Sequence, residues 1–173
     1  MTAEERIFSI VRGGLYAKLP SLALPLGRLT CREGKVDPAG TDGEAAVFAP
    51  GLLRREFLAE SDLPERLTLH LLLHLMLGHP WGRQGRARAL WDTACDLAVG
   101  LVRHALLPQE PETPAAFSAR CKLQARRAVR APAIYALLLE QPDALTAEEQ
   151  AAFHLDDHRL WQLSASASAP KTA

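Results

Sequence analysis

At 173 residues the chain suits one domain, long enough to bury a core without help from disulfides. Lys+Arg and Asp+Glu are equal at 20 each, so no overall field favours nucleic acid or an anionic membrane surface. Cys31, Cys95 and Cys121 are too few for a disulfide framework and lack C-x-x-C spacing, so a reducing cytoplasm is the expected compartment. Neither a secretory leader nor a membrane segment is expected. The first six residues are acidic, and the Leu-rich run at 67–77 is too short and too rich in histidine to span a bilayer.

Ile7, Ile10, Val11 and Leu15 recur at near-helical spacing, which predicts an opening helix over 3–19, broken at Gly13-Gly14 and fraying before Pro20. Between Ser21 and Pro50 the pattern changes. Leu22, Leu24 and Leu26 alternate, Thr41-Asp42-Gly43 signals a turn, and Ala45-Ala46-Val47-Phe48 reads as a short strand, so a small sheet is expected there. A short helix over 51–60 follows. Asp62 then stands at an N-cap position, with Glu65 three residues on and Pro64 tolerated in the first turn, opening a helix of about 63–77.

That helix is apolar almost all the way round and must be buried on most sides. Gly78 suits the position just past a helix end and Pro80 cannot continue the helix, so the chain turns at His79. A basic loop over 83–88 leads to a second helix over 89–106. Its apolar stripe is Trp91, Ala94, Cys95, Ala98, Leu101, Val102 and Ala105, with Asp92, Asp96, Gly100 and Arg103 along another line. Thr113-Pro114 opens a helix running to about Arg130, Ala131-Pro132 interrupts it, and a short helix continues through Glu140. Thr146 with Glu149 forms a capping box for another. The composition of 164–173 reads as a disordered tail, leaving 1–163 as the domain.

His70, His74 and His79 fall within ten residues. Positions i and i+4 share a helix face, so His70 and His74 can converge on one ion. A buried imidazole needs a polar partner, and leucine neighbours supply none. Spacing alone therefore leaves two readings open: a metal site, or histidines that hydrogen-bond in a metal-free core. For a third ligand, the break at Gly78 could return His79 toward the ion. The rival is Asp96, which is either on a solvated line with Asp92 and Arg103 or turned inward to a cation.

Four groups of residues together resemble a known family. They are His70-x-x-x-His74 with His79-Pro80; the run from Leu90-Trp91 through Ala94-Cys95-Asp96 to Ala98-Val99; Thr41-Asp42-Gly43 followed by Phe48-Ala49-Pro50; and Asp156-Asp157-His158 with Trp161. The family is the metallopeptidase domain found ahead of a VWA-like domain in many bacterial proteins, zincin-like and often encoded beside MoxR-type AAA ATPases. The resemblance implies an α+β, mainly helical fold with a small sheet packed on the His-bearing helix. It also implies one zinc ion held by His70, His74 and Asp96; the break at Gly78 leaves His79 as an alternative ligand or a partner behind one. The partners it implies are a VWA-domain protein and a MoxR-type AAA ATPase.

In the H-E-x-x-H zinc peptidases a glutamate beside the first histidine is the general base, and here that place is Leu71. Acid–base help of that kind is worth roughly 10²–10⁴ in rate, and a leucine provides none. Asp156, Asp157 or His158 could substitute, or could simply cap a polar helix end. Two functions follow: a peptidase with a degenerate motif, or a catalytically silent interaction module. The basic residues of 83–88, with Arg120, Lys122, Arg126, Arg127 and Arg130, suit solvated faces or an acidic partner protein better than nucleic acid.

Overall fold

Helix α1 (Ala3–Lys18) starts from a capping box. Thr2 Oγ1 accepts from the Glu5 N–H at 3.1 Å, and the Glu5 carboxylate accepts from the Thr2 N–H at 2.6 Å. The helix runs through Gly13-Gly14 without a break. Each glycine costs about 1 kcal/mol relative to alanine, but burying Ile7, Phe8, Val11 and Leu15 contributes about 1.5–3 kcal/mol for each large side chain and outweighs that cost. A Cβ at Gly14 would meet only the Glu65 carboxylate, the end of a flexible side chain that pairs with Lys18 and can shift to make room.

The computed structural model describes residues 2–161, and the tail expected at 164–173 lies outside them. The strand expected from Leu22, Leu24 and Leu26 is absent. A 3₁₀ turn (Pro20–Leu22) leads instead into helix α2 (Ala23–Arg28), with Leu22 and Leu26 buried and Leu24 67% exposed. Two leucines four apart fit both the strand period and one helical turn, so the pattern could not separate them.

The sheet comprises β1 (Thr30–Glu33), β2 (Ala39–Thr41) and β3 (Ala45–Phe48) in the order β1-β3-β2, with β1 parallel and β2 antiparallel to β3. Between β2 and β3, Asp42 Oδ1 accepts from the backbone N–H groups of Glu44 and Ala45, each at 3.0 Å. Gly43 turns the chain there with φ +100°. On its other side β2 meets a segment far along the chain: the Asp157 N–H donates to the Ala39 carbonyl at 2.7 Å, in a parallel bridge between Gly40 and Asp157.

Helices α3 (Leu52–Leu58) and α4 (Leu63–Met76) follow, and α4 packs against α1, α3, β2 and β3. Asp62 does not cap α4. Its backbone is already helical and its side chain makes no capping bond, while Ser61 Oγ accepts from the Leu63 N–H at 3.1 Å and Glu65 is taken by Lys18. Every residue from Leu67 to His74 is buried, as an all-round apolar helix requires. The helix ends at Gly78, whose φ of +71° allows the reversal into the short turn His79–Trp81.

The chain forms two compact units, one made of the residues up to Gly82 together with those from Leu155 onward, the other of Arg83–His154. The elements above all belong to the first. The second holds α5 (Arg88–Leu106), α6 (Pro114–Ala125), α7 (Ala131–Glu140) and α8 (Ala147–Ala151), with α5 packed on α7 and α8, and α6 on α8. Helix α6 stops five residues before the expected Arg130. Arg127 takes the left-handed conformation (φ +55°), its N–H bonds to Gln124 O, and the Ala128 N–H bonds to Leu123 O, a Schellman arrangement with buried Ala128 and Leu123 in the same unit. The basic loop before α5 is tied down by Arg86, which lies over the Trp91 ring at 4.8 Å, and by Ala87 N–H, which donates to Tyr135 Oη at 3.0 Å. No helix among the described residues is long and apolar enough to cross a membrane.

The expected capping box of α8 is present, and its Glu149 is buried. Glu149 accepts from Lys122 Nζ at 2.7 Å, from Ser118 Oγ at 2.5 Å and from the Thr146 N–H at 2.8 Å. Lys122 above all, then Ser118 and Thr146, hold its carboxyl down at about 2 against the opposing pull of burial. A depressed carboxyl pKa stabilises the fold above its unfolded value, near 4.5, and that contribution is lost as pH falls toward 2. The wild type should therefore lose more thermal stability between pH 4.5 and 2 than Glu149→Gln does, as read from unfolding midpoints across that window. Parallel profiles would show that Glu149 contributes nothing there.

Candidate metal centre

Four histidines and one aspartate of the first unit come together at α4. The helical repeat puts His70 and His74 on one face, with ring centroids 4.6 Å apart and the two Nε2 atoms at 2.9 Å. The segment bridged to β2 then brings in a carboxylate 86 residues away in sequence: Asp156 Oδ1 lies 2.9 Å from His70 Nε2 and 3.6 Å from His74 Nε2. His158 Nε2–H donates to the same oxygen at 2.9 Å, and the His158 ring stacks on Trp161 at 3.9 Å. Trp161 also lies against His74, with centroids 5.0 Å apart. Behind His74, its Nδ1 meets Nδ1 of His79 at 2.9 Å.

Protons alone serve this arrangement poorly. An N–H on His70 Nε2 can satisfy either Asp156 or His74, and it cannot satisfy both in full. A cation at their common centre would take the lone pairs of His70 Nε2, His74 Nε2 and an Asp156 oxygen together, while His74 Nδ1–H donates back to His79 and fixes the ring. A further observation fits such a cation. Asp156 Oδ2 is buried with no hydrogen-bond partner among the described residues, although buried carboxylate oxygens are normally satisfied. Burial would push the Asp156 carboxyl up, yet His70 and His74, with the hydrogen bonds from His158 and His70, hold it well below the usual carboxylate range.

His79 thus stands behind His74, on the side away from Asp156's partner atoms. His158 braces Asp156. Asp157 is turned elsewhere: its carboxylate pairs with Arg159, accepts from the Arg159 N–H at 2.9 Å and from the Asp37 N–H at 3.3 Å, and caps the turn His158–Leu160. Asp96 belongs to the second unit, on α5. It is buried, and its Oδ2 lies 2.8 Å from His154 Nδ1, so the solvated line with Asp92 and Arg103 does not describe it.

A family model described as "putative metallopeptidase domain" matches residues 14–161. The chain belongs to this family. No curated protein and no solved structure gives a significant match. Family membership and geometry agree on one point: clustered, buried His and Asp side chains that could hold a metal. In this member the residue after the first metal-site histidine, Leu71, is fully buried and carries no proton-transferring group.

From the sequence Asp156 stands among the possible bases, and only the fold brings it to the histidines as a candidate ligand. The one available signal was the Asp156-Asp157-His158 run just before Trp161. Nothing local says that it returns to α4, because that return depends on pairing with β2.

Proposed function

We propose that this domain holds a zinc ion whose role is structural, and that it is a metallopeptidase-family module without peptide hydrolysis. The observation that carries this reading is burial: His70, His74 and Asp156 are 2%, 0% and 1% exposed. Catalytic zinc sites keep a position open to water and substrate, whereas structural ones are closed by protein donors. A polypeptide substrate has no approach to donors so enclosed. Neither candidate base is free for the task, since Asp157 is committed to Arg159 and His158 to Asp156. Leu71 supplies no replacement.

Zinc suits the donors. Imidazole nitrogens and carboxylate oxygens are its usual partners, and atoms about 2.0–2.1 Å from a tetrahedral ion stand about 3.3 Å apart. The separations of 2.9 and 3.6 Å between the His and Asp atoms bracket that figure. When bound, the ion would supply the positive charge that this buried carboxylate calls for. As the family resemblance implies, we assign Asp96 as a further ligand, a carboxylate buried on α5 with His154 as its hydrogen-bond partner. A domain of this kind acts through its surface. The partner class that the resemblance implies is a VWA-domain protein and a MoxR-type AAA ATPase.

Elemental analysis of protein purified without chelator should find equimolar zinc, reduced in His70→Ala, Asp156→Ala and Asp96→Asn. Assays on unfolded protein substrates should give equal background rates for wild type and His74→Ala. Absence of metal from the wild type would remove the zinc reading. Hydrolysis that disappears in His74→Ala would replace the structural role with a catalytic one.

A further inference from the structure

We propose that Gly40 is a positioning residue for the metal centre, acting through the backbone of Asp157 on the carboxylate of Asp156; this rests on the zinc reading above. The segment that carries Asp156 lies along the outer side of β2, held by the Asp157 N–H bond to Ala39 O at 2.7 Å and bridged in parallel to Gly40. Successive side chains of an extended segment point to opposite sides. Asp157 points to Arg159 and the Asp37 N–H, and Asp156 points to His70 and His158. The lateral distance of this segment from β2 therefore sets where the Asp156 carboxylate stands against the two α4 histidines.

Gly40 sets that distance. It is buried, and a Cβ built on it would overlap the carbonyl oxygen of Asp157. The obstructing atom is backbone, so no change of rotamer relieves the overlap, and the segment itself must move away. Gly40 is not among the positive-φ glycines, so the requirement is for space and not for an unusual backbone conformation. Gly13, by contrast, has open space where a Cβ would go.

Zinc affinity, measured by competition with a chromophoric chelator, tests this in the full chain. Gly40→Ala and Gly40→Val should bind zinc roughly 10–100-fold more weakly than wild type, the usual cost of losing support behind a ligand, and Gly13→Ala should bind as wild type does. In an Asp156→Ala background, Gly40→Val should weaken binding no further, because the residue it acts through is gone. Circular dichroism reports folding, and should Gly40→Val fail to fold, Gly40→Ala carries both comparisons. Wild-type affinity in Gly40→Ala, or equal losses with and without Asp156, would overturn the proposal. Failure of the wild type itself to bind zinc is read in a separate arm, and it overturns the zinc reading and this inference with it.

Discussion

Stripping zinc from the wild-type protein is expected to lower its thermal midpoint by about 8–16 °C. A ligand that binds only the folded state stabilises it by RT ln(1 + [L]/Kd), about 4.1 kcal/mol at 1,000 times Kd, and each kcal/mol moves the midpoint of a chain this size by about 2–4 °C. The unfolded chain cannot mimic the site. His70 and His74 keep their spacing only while α4 is helical, and Asp156 reaches them only while its segment is paired with β2. His74→Ala should make the midpoint indifferent to zinc and chelator, since His74 Nε2 is one of the converging atoms. Its baseline should also drop, because His79 loses the partner of its Nδ1 and the Trp161 ring loses a neighbour. Thermal unfolding by circular dichroism, with saturating zinc and with chelator, reads both effects. A wild-type midpoint that ignores chelator would contradict the zinc reading.

Replacing Leu71 by glutamate restores the missing letter of H-E-x-x-H, and it is expected to destabilise the protein by about 4 kcal/mol without creating a peptidase. Leu71 is fully buried between Leu67–His70 and Leu72–His74, all themselves buried. A carboxyl buried among apolar groups titrates near 8–9, so at pH 7 it must be held protonated. Raising it from about 4.3 to above 7 costs about 1.36 kcal/mol per unit. The midpoint should fall by about 8–16 °C at pH 7. The sign of the pH effect distinguishes this from simple loss of packing: a raised carboxyl pKa favours the folded state at low pH, so the deficit of Leu71→Glu should shrink as pH falls from 7 toward 5. Hydrolysis should stay at the His74→Ala background, because the donors around the site remain enclosed. Zinc-dependent cleavage by Leu71→Glu at roughly 10²–10⁴ times the wild-type rate would show instead that only the base had been lost and that substrate can reach the ion.

Much of the local structure was legible in the chain, for reasons that lie within a few residues of each feature. The capping box at Thr146 and Glu149, the N-cap at Thr113, the turn at Thr41-Asp42-Gly43 and the reversal at Gly78 each depend on side chains and backbone that are neighbours in sequence. Where a local signal had two solutions, packing chose between them. Ser61 took the capping role that Asp62 could have filled, and Leu22 and Leu26 settled on a helix because four residues suit both periods. Helix α6 ended early at a Schellman turn whose left-handed residue is an arginine, a type that gives no warning of that conformation.

By itself the sequence determined that two imidazoles would stand one turn apart on a buried apolar helix, because 3.6 residues per turn and a leucine-rich run leave no other outcome. It also determined that no glutamate would stand beside them. Only the tertiary structure decided what those imidazoles face. Asp156 and His158 arrive through a strand-like pairing with β2 that links positions 117 residues apart, Gly40 and Asp157, and a hydrogen-bonded bridge between backbones carries no side-chain signature that a sequence could display. The burial of Asp96 is of the same kind: a carboxylate on a helix is solvated or enclosed according to what packs over it, and its own neighbours in the chain are silent on that point.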